Sequence, residues 1–171
     1  RDSQKVKPGI ACASYPDGQL LLSQVKLQKD KWDTIIIDVG GFDSSTLRAA
    51  LLICDVLLVP FQPRSFDLWG VSAMSKLVQE ATSARRGRPF KAYAVLNSAE
   101  TTPGSSENSD SIEALQDFPE LTFLETKLCR RKAFATSSGF GMGVMELKVK
   151  DKKAIAELAA LAEAVFAEWE D

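Results

Sequence analysis

Strand and helix patterns alternate along this chain, and that alternation predicts an α/β protein: three layers, α/β/α, around a mostly parallel sheet. Three observations carry the expectation. Short runs at 34–38, 56–60 and 92–96 are apolar almost throughout, as strands buried on both faces are. Segments with apolar residues three and four apart fill the intervals between them. The composition, 45% hydrophobic and 26% charged over 171 residues, is that of a globular domain able to bury a sizeable core. No repeat, low-complexity tract or linker interrupts the pattern, so residues 1–171 are expected to form a single domain.

Lys7–Ala13 is a weak first strand. Gly18–Lys29 carries Leu21, Leu22, Val25 and Leu27 and reads as an amphipathic helix. Thr34–Asp38, with three consecutive isoleucines, reads as a central buried strand. Ser44–Cys54 is rich in helix formers, with Asp43, Ser44 or Ser45 available as N-cap. Val56–Pro60 is the next strand. Phe66–Ser83 is a helix with Trp69, Met74, Leu77, Val78 and Ala81 near one face, stopped by Gly87. Ala92–Leu96 is a strand, Ser98–Asp110 a polar loop, Asn108–Gln116 a short helix and Thr122–Glu125 a strand. Asp151–Glu168 is the most regular helix, with Ile155, Leu158, Ala162, Val165 or Phe166, and Trp169 in period and Asp151 as its cap.

Composition narrows the chemistry. The chain has no histidine, which excludes histidine triads, histidine metal sites and imidazole bases. Its three cysteines, Cys12, Cys54 and Cys129, are far apart and odd in number, against a disulfide framework or a zinc site. Cys54 and Cys129 lie in apolar surroundings and read as small hydrophobes of a protein kept in a reducing compartment. Net charge is −2, so the whole surface does not advertise nucleic-acid binding. No run is long and apolar enough to span a bilayer.

The stretch richest in chemistry is Trp32-Asp33-Thr34-Ile35-Ile36-Ile37-Asp38-Val39-Gly40-Gly41. It sets a carboxylate at the carboxyl end of a strand, where open α/β sheets bind ligands. Asp38 there is placed to hold Mg²⁺ directly or through its waters, since hard cations take oxygen ligands. Gly40 and Gly41 let backbone approach a phosphate with no Cβ in the way. Taken alone, Asp38 reads equally well as the cap of the next turn.

The residues downstream tip the balance. Cys54-Asp55-Val56-Leu57-Leu58-Val59-Pro60, then Pro63, Ser65 and Asp67, resembles the ParA/MinD family of deviant-Walker P-loop ATPases. In that family a Walker B strand ending in Asp precedes a helix, an Ala-Asp, a strand ending in Pro, and a Pro-Ser with a later Asp. Lys91-Ala92-Tyr93-Ala94-Val95-Leu96-Asn97 is similar to the family's strand that ends in an asparagine beside the adenine. Arg131-Lys132-Ala133-Phe134 with Gly143-Val144-Met145-Glu146 is similar to its next block, and a closing amphipathic helix is shared. The resemblance runs from about Lys31 to Phe166. It is nearest to the small plasmid-type ParA partition proteins, because the chain is compact and its acidic end (Glu168, Glu170, Asp171) is unlike MinD's lipid-binding helix.

The resemblance implies a P-loop NTPase fold with ATP and Mg²⁺ as cofactors. It implies Asp38 as a catalytic residue positioning Mg²⁺ through water, Gly40 and Gly41 on the nucleotide's phosphate side, and Asn97 on its adenine side. From spacing alone Asn97 reads first as a strand-end turn residue. The family's Walker A loop, KGGxGKT, is absent. Gly139-Phe140-Gly141-Met142-Gly143 lacks the following lysine and reads as a loop. The chain is therefore expected to be an N-terminally incomplete copy, lacking the P-loop strand and helix and inactive by itself.

The intact protein is expected to be an ATPase of plasmid or chromosome partition: a cytoplasmic, nucleoid-associated ATP-dependent homodimer. Its expected partners are nonspecific DNA and a ParB-like, centromere-binding activator, with no membrane. Lys148, Lys150, Lys152 and Lys153 are the candidate DNA contacts, with Lys127, Arg130, Arg131 and Lys132 as a possible extension. Solvated helix ends account for the lysines equally well, and for Arg85, Arg86 and Arg88 better. Two other readings stand beside partition: a nucleotide-independent ParA-like scaffold or regulator, and a ParA-like ATPase that positions a protein cargo.

Overall fold

The computed structural model describes residues 10–63, 65–86, 88, 90–102 and 104–166, with backbone alone for 65–68. It is an α/β structure. Six α-helices are described, α1 (Gly18–Gln28), α2 (Ser45–Ile53), α3 (Ser65–Ala84), α4 (Ser106–Ala114), α5 (Lys132–Gly139) and α6 (Lys152–Phe166). Three strands, β1 (Val56–Phe61), β2 (Lys91–Ala99) and β3 (Thr122–Cys129), pair in chain order as a parallel sheet. Short 3₁₀ turns follow α1 at Lys29–Lys31 and α4 at Leu115–Asp117, and a third lies at Val144–Glu146.

The helices begin where side chains supply the missing acceptors for their first N–H groups. Asp17 Oδ1 accepts from Leu20 N at 2.8 Å, and Ser44 Oγ from Leu47 N at 3.1 Å. Asp151 Oδ1 accepts from Lys153 N and Ala154 N at 3.0 and 3.1 Å. Of the three caps open to α2 the structure selects Ser44. Gly18 shows why α1 starts with glycine: a Cβ there would collide with the carbonyl oxygen of Ser45, so α1 lies directly on the start of α2.

β2 is the centre of the sheet, and its continuous apolar run is buried from Ala92 to Leu96. One face carries Val59, Phe61, Ala94 and Leu96 against Val71 and Val78 of α3 and Leu115 beyond α4. The opposite face sets Tyr93, Val95 and Leu124 against Leu161 of α6. Helices thus cover both faces, as three layers require. Leu58 of β1 stays 37% exposed. β1 pairs with β2 from Val56–Lys91 to Phe61–Leu96. Its Pro60 lacks an N–H, which suits a strand at the sheet's edge.

Several expectations are corrected. Thr34–Asp38 forms no strand among the described residues. Burial alternates from Ile36 to Gly40: Ile37 and Val39 pack against α1 and α2, while Ile36 is 87% exposed. A central strand needs a ladder on at least one side, and no described strand pairs with this segment. Ile10–Ala13 is not a strand either, and Lys7–Gly9 lie outside the described residues. Trp69 is 73% exposed, and Val71 takes the buried place in α3. In α6 the deeply buried positions are Ala154 and Leu161, not Ile155, Leu158 and Ala162, and Trp169 lies outside the described residues. Gly87 lies outside them too. The loop expected over 98–110 is shorter, because β2 runs to Ala99 and α4 begins at Ser106.

Candidate functional site

Because the three strands are parallel, their carboxyl ends share one edge of the sheet, the edge where such sheets bind ligands. β1 ends at Phe61, β2 at Asn97–Ala99 and β3 at Cys129.

Asn97 stands where the β2–β3 ladder loses register, between Asn97 and Ala99. Its Oδ1 accepts from Ser98 N at 2.9 Å, and Ser98 has φ of 52°, in the left-handed region that non-glycine residues seldom enter. Bulges and strained residues of this kind collect beside functional sites. The Asn97 amide NH₂ has no partner among the described residues and is half-buried, so a donor is presented at the sheet edge. The turn-residue reading is therefore also correct locally: the side chain caps its own bend while its NH₂ stays available.

The end of β3 is fastened to α6. Glu157 accepts from Cys129 N at 3.1 Å and from Arg131 Nε and Nη2 at 3.0 and 2.5 Å. Burial pushes the Glu157 carboxyl up, but the Arg131 guanidinium and the Cys129 N–H outweigh it and hold the group below the usual carboxylate range. Arg131 is thereby committed to the fold and leaves the basic set proposed from sequence. Burial pushes the thiols of Cys54 and Cys129 up, which keeps both un-ionised. All three cysteines are free, with Cys12 exposed.

Asp38 lies at the end of the isoleucine segment, exposed, and its carboxylate makes no hydrogen bond or ion pair among the described residues. A Cβ placed on Gly40 or Gly41 would meet nothing within 4 Å, so both glycines open on free space. Phe42 follows, 87% exposed. The turn is anchored at Asp43. Arg48 of α2 grips Asp43 through Nε–Oδ1 at 2.6 Å and Nη2–Oδ2 at 2.8 Å, and its Nη1 reaches Glu80 of α3 at 2.7 Å. The pairing holds the Asp43 carboxyl below its usual range. Beside it lies an open cavity of about 340 Å³ whose lining includes Gly41, Asp43, Arg48, Trp69, Lys76 and Glu80. Sequence reading missed Arg48 and Glu80. The signal available was one arginine a turn into α2, with a carboxylate just ahead of the helix cap.

The turn and the sheet's carboxyl end each present polar groups left open by the fold. Asp38 offers an unengaged carboxylate, the two glycines offer approachable backbone, and Asn97 offers a donor. No hydrogen bond joins Asp38 to Asn97. Among the described residues no group of three or more acidic or cysteine side chains could hold a metal unaided. The glycine-rich 139–143 stretch builds no phosphate cradle. Phe140, Gly141 and Met142 donate their N–H groups to carbonyls of α5, and Gly143 donates to Glu146 Oε2.

The four candidate DNA-binding lysines are all exposed. Lys148 and Lys150 occupy a bent segment rather than a strand. Val149 between them is 86% exposed. Lys150 Nζ donates to Met145 O, a contact with backbone and not with a carboxylate. Lys152 and Lys153 open α6, where the helix dipole disfavours cations. Arg85 contradicts the solvated reading of its own cluster: it is buried, donates to Leu51 O at 2.7 Å and Arg88 O at 2.9 Å, and lies 4.5 Å over the Phe90 ring.

Compared with known proteins, the chain matches no protein-family model and no curated protein. Among the described residues no helix is long and apolar enough to cross a membrane.

Proposed function

We propose that this chain is the part of a ParA/MinD-type ATPase that follows the phosphate-binding loop, and that the intact protein serves plasmid or chromosome partition. The observation that carries the reading is the Asp38–Gly41 turn: a carboxylate with no internal partner among the described residues, then two glycines open to space, leading into a capped helix. The order of blocks from Lys31 to Phe166 supports it, as does an asparagine set on a bulge at the sheet's carboxyl edge. A Walker A segment would supply the missing strand pairing for 34–38 and the N–H groups that cradle phosphate. ATP and Mg²⁺ would then lie between Asp38 and Asn97. Turnover would rest on positioning and charge and would stay slow until an activator completes the site. The test is the size of the intact protein with and without ATP and Mg²⁺. The reading expects a nucleotide-dependent dimer, and a protein that binds no ATP would favour the scaffold alternative.

In this reading the ATP dimer binds DNA nonspecifically, in the cytoplasm and on the nucleoid, through Lys148, Lys150, Lys152 and Lys153. Reversing these four charges is expected to weaken DNA binding and flatten its dependence on salt. The log–log slope should fall by about 0.9 for each phosphate no longer neutralised. An unchanged slope, measured by anisotropy titration over a range of salt, would remove these lysines from the interface. A ParA-like ATPase that moves a protein cargo keeps the same switch and differs only at this surface.

A further inference from the structure

Between Val39 and Leu47 the chain has few restraints. Val39 is packed against both α2-centred apolar clusters, and Leu47 is 1% exposed. In the interval Gly40 and Gly41 touch nothing with the face a Cβ would occupy, and Phe42 stands in solvent. Among the described residues two side-chain interactions hold the segment: the Ser44 cap on Leu47 N, and the Asp43–Arg48 fork. The cap belongs to α2 itself, so the fork is the polar tether that ties the turn to the rest of the protein. All three guanidinium nitrogens are engaged. Two meet the two oxygens of Asp43 side by side, and the third meets Glu80 on α3. Arg48 thereby joins the turn, α2 and α3 through one side chain.

We propose that Arg48 is a positioning residue that latches the Gly40–Asp43 turn onto α2 and α3, so that the turn moves only when the Asp43 fork opens. Its geometry is specific, because a planar guanidinium meets a carboxylate through two parallel bonds at a fixed angle. Its strength is modest, because water reaches both partners: the side chains of Arg48, Asp43 and Glu80 are 48%, 54% and 58% exposed. A specific but weak tether suits an element that must change between two arrangements. The cavity beside Gly41 gives the turn room to move without displacing core. Opening the fork also releases Glu80, so a displacement at the turn is felt on α3. As a restraint the latch stands on the structure alone; as part of a nucleotide switch it rests on the proposed ATPase function.

Backbone ¹⁵N order parameters of the native full-length protein without nucleotide test the restraint, since the 40–43 N–H groups donate no hydrogen bond among the described residues and report through motion, with the β2 amides at 92–96 as the internal reference. Arg48→Ala is expected to lower the order parameters at 40–43 from about 0.85 toward about 0.6 and leave β2 unchanged. Asp43→Asn should do the same, and Glu80→Gln less, since the fork survives. Arg48→Lys should fall between wild type and alanine, because it keeps charge but loses the two-point grip. Unchanged order parameters at 40–43 in Arg48→Ala, or an equal drop in β2, would overturn the latch, as would wild-type values in Arg48→Lys. Adding ATP and Mg²⁺ to the wild type is a separate arm. No nucleotide effect there, with the mutant effects intact, would reject the nucleotide reading and keep the latch.

Discussion

Replacing Arg85 with alanine is expected to destabilise the fold by about 2–4 kcal/mol, a large effect for one residue at a helix end. Arg85 is 8% exposed, and its guanidinium closes three gaps together. It donates to Leu51 O in the last turn of α2, to Arg88 O in the connection to β2, and covers the Phe90 ring. Leu51 itself is 1% exposed, so its carbonyl has little access to water once the donor is gone. Only the weak Cys54 Sγ–H donor, at 3.9 Å, remains to that oxygen among the described residues, and a buried acceptor so poorly paired costs more than the net value of the bond that served it. Arg85→Lys should recover only part of the loss, since an ammonium cannot fork to two carbonyls or lie flat on a ring. Arg86→Ala, one residue on and exposed, should stay within about 0.5 kcal/mol of wild type. Urea denaturation monitored in parallel on the three variants measures all of this. Equal midpoints for Arg85→Ala and Arg86→Ala would show that burial of the guanidinium contributes nothing.

Arg85 also shows where the sequence stops being legible. The end of a helix followed by several arginines reads as solvated charge, and nothing local announces that Leu51 and Phe90, 34 residues before and five after, converge on it. Elements with a continuous apolar signal were legible. Ala92–Leu96 and Val56–Pro60 extend by a few residues but keep their place, and α1, α2, α3 and α6 are found within a residue or two of expectation at the ends that are described. α5 was missed because Thr136-Ser137-Ser138-Gly139 are poor helix formers, and a helix of eight residues leaves little periodicity to read. The face of α3 was misphased at its start. Trp69 stands two residues before Val71, about 200° round the helix, and a large apolar residue was favoured over the period set by Val71, Met74 and Val78. The isoleucine segment fails for a different reason. Its pattern is that of a buried strand, but a strand is a pairing, and pairing is a property of neighbours.

The same division runs through the candidate site. Asp38, Gly40, Gly41 and Asn97 are expectations of motif order, and the structure adds their open turn and their place at a ladder irregularity. The Asp43–Arg48–Glu80 set was not legible, because a spacing of five is not a helical pair and Glu80 lies 32 residues further on. The three-layer arrangement is seen in the described residues as helices on both faces of a three-stranded parallel sheet.

Substituting Asp38 with alanine in the intact protein is expected to lower ATP turnover by about 10–100-fold, the loss typical when a group that orients metal-bound water is removed. The fold should be almost indifferent, within about 0.5 kcal/mol, because the exposed carboxylate has no hydrogen bond or ion pair to lose among the described residues. That contrast separates the two readings of Asp38. A cap or structural aspartate would cost stability when removed, and its loss of activity would follow its loss of fold. A metal-positioning aspartate costs turnover alone. Asp38→Asn sharpens the test, since it keeps the shape and hydrogen-bonding capacity and removes the charge that favours Mg²⁺. If Asn restored turnover, the role would be a hydrogen bond rather than a hold on the metal. Steady-state ATPase rates read beside urea midpoints decide between them, and nucleotide-dependent dimerisation read beside both shows whether Asp38 acts after binding. A turnover unchanged in Asp38→Ala would remove the residue from catalysis and, with it, the Walker B reading of the 34–38 segment.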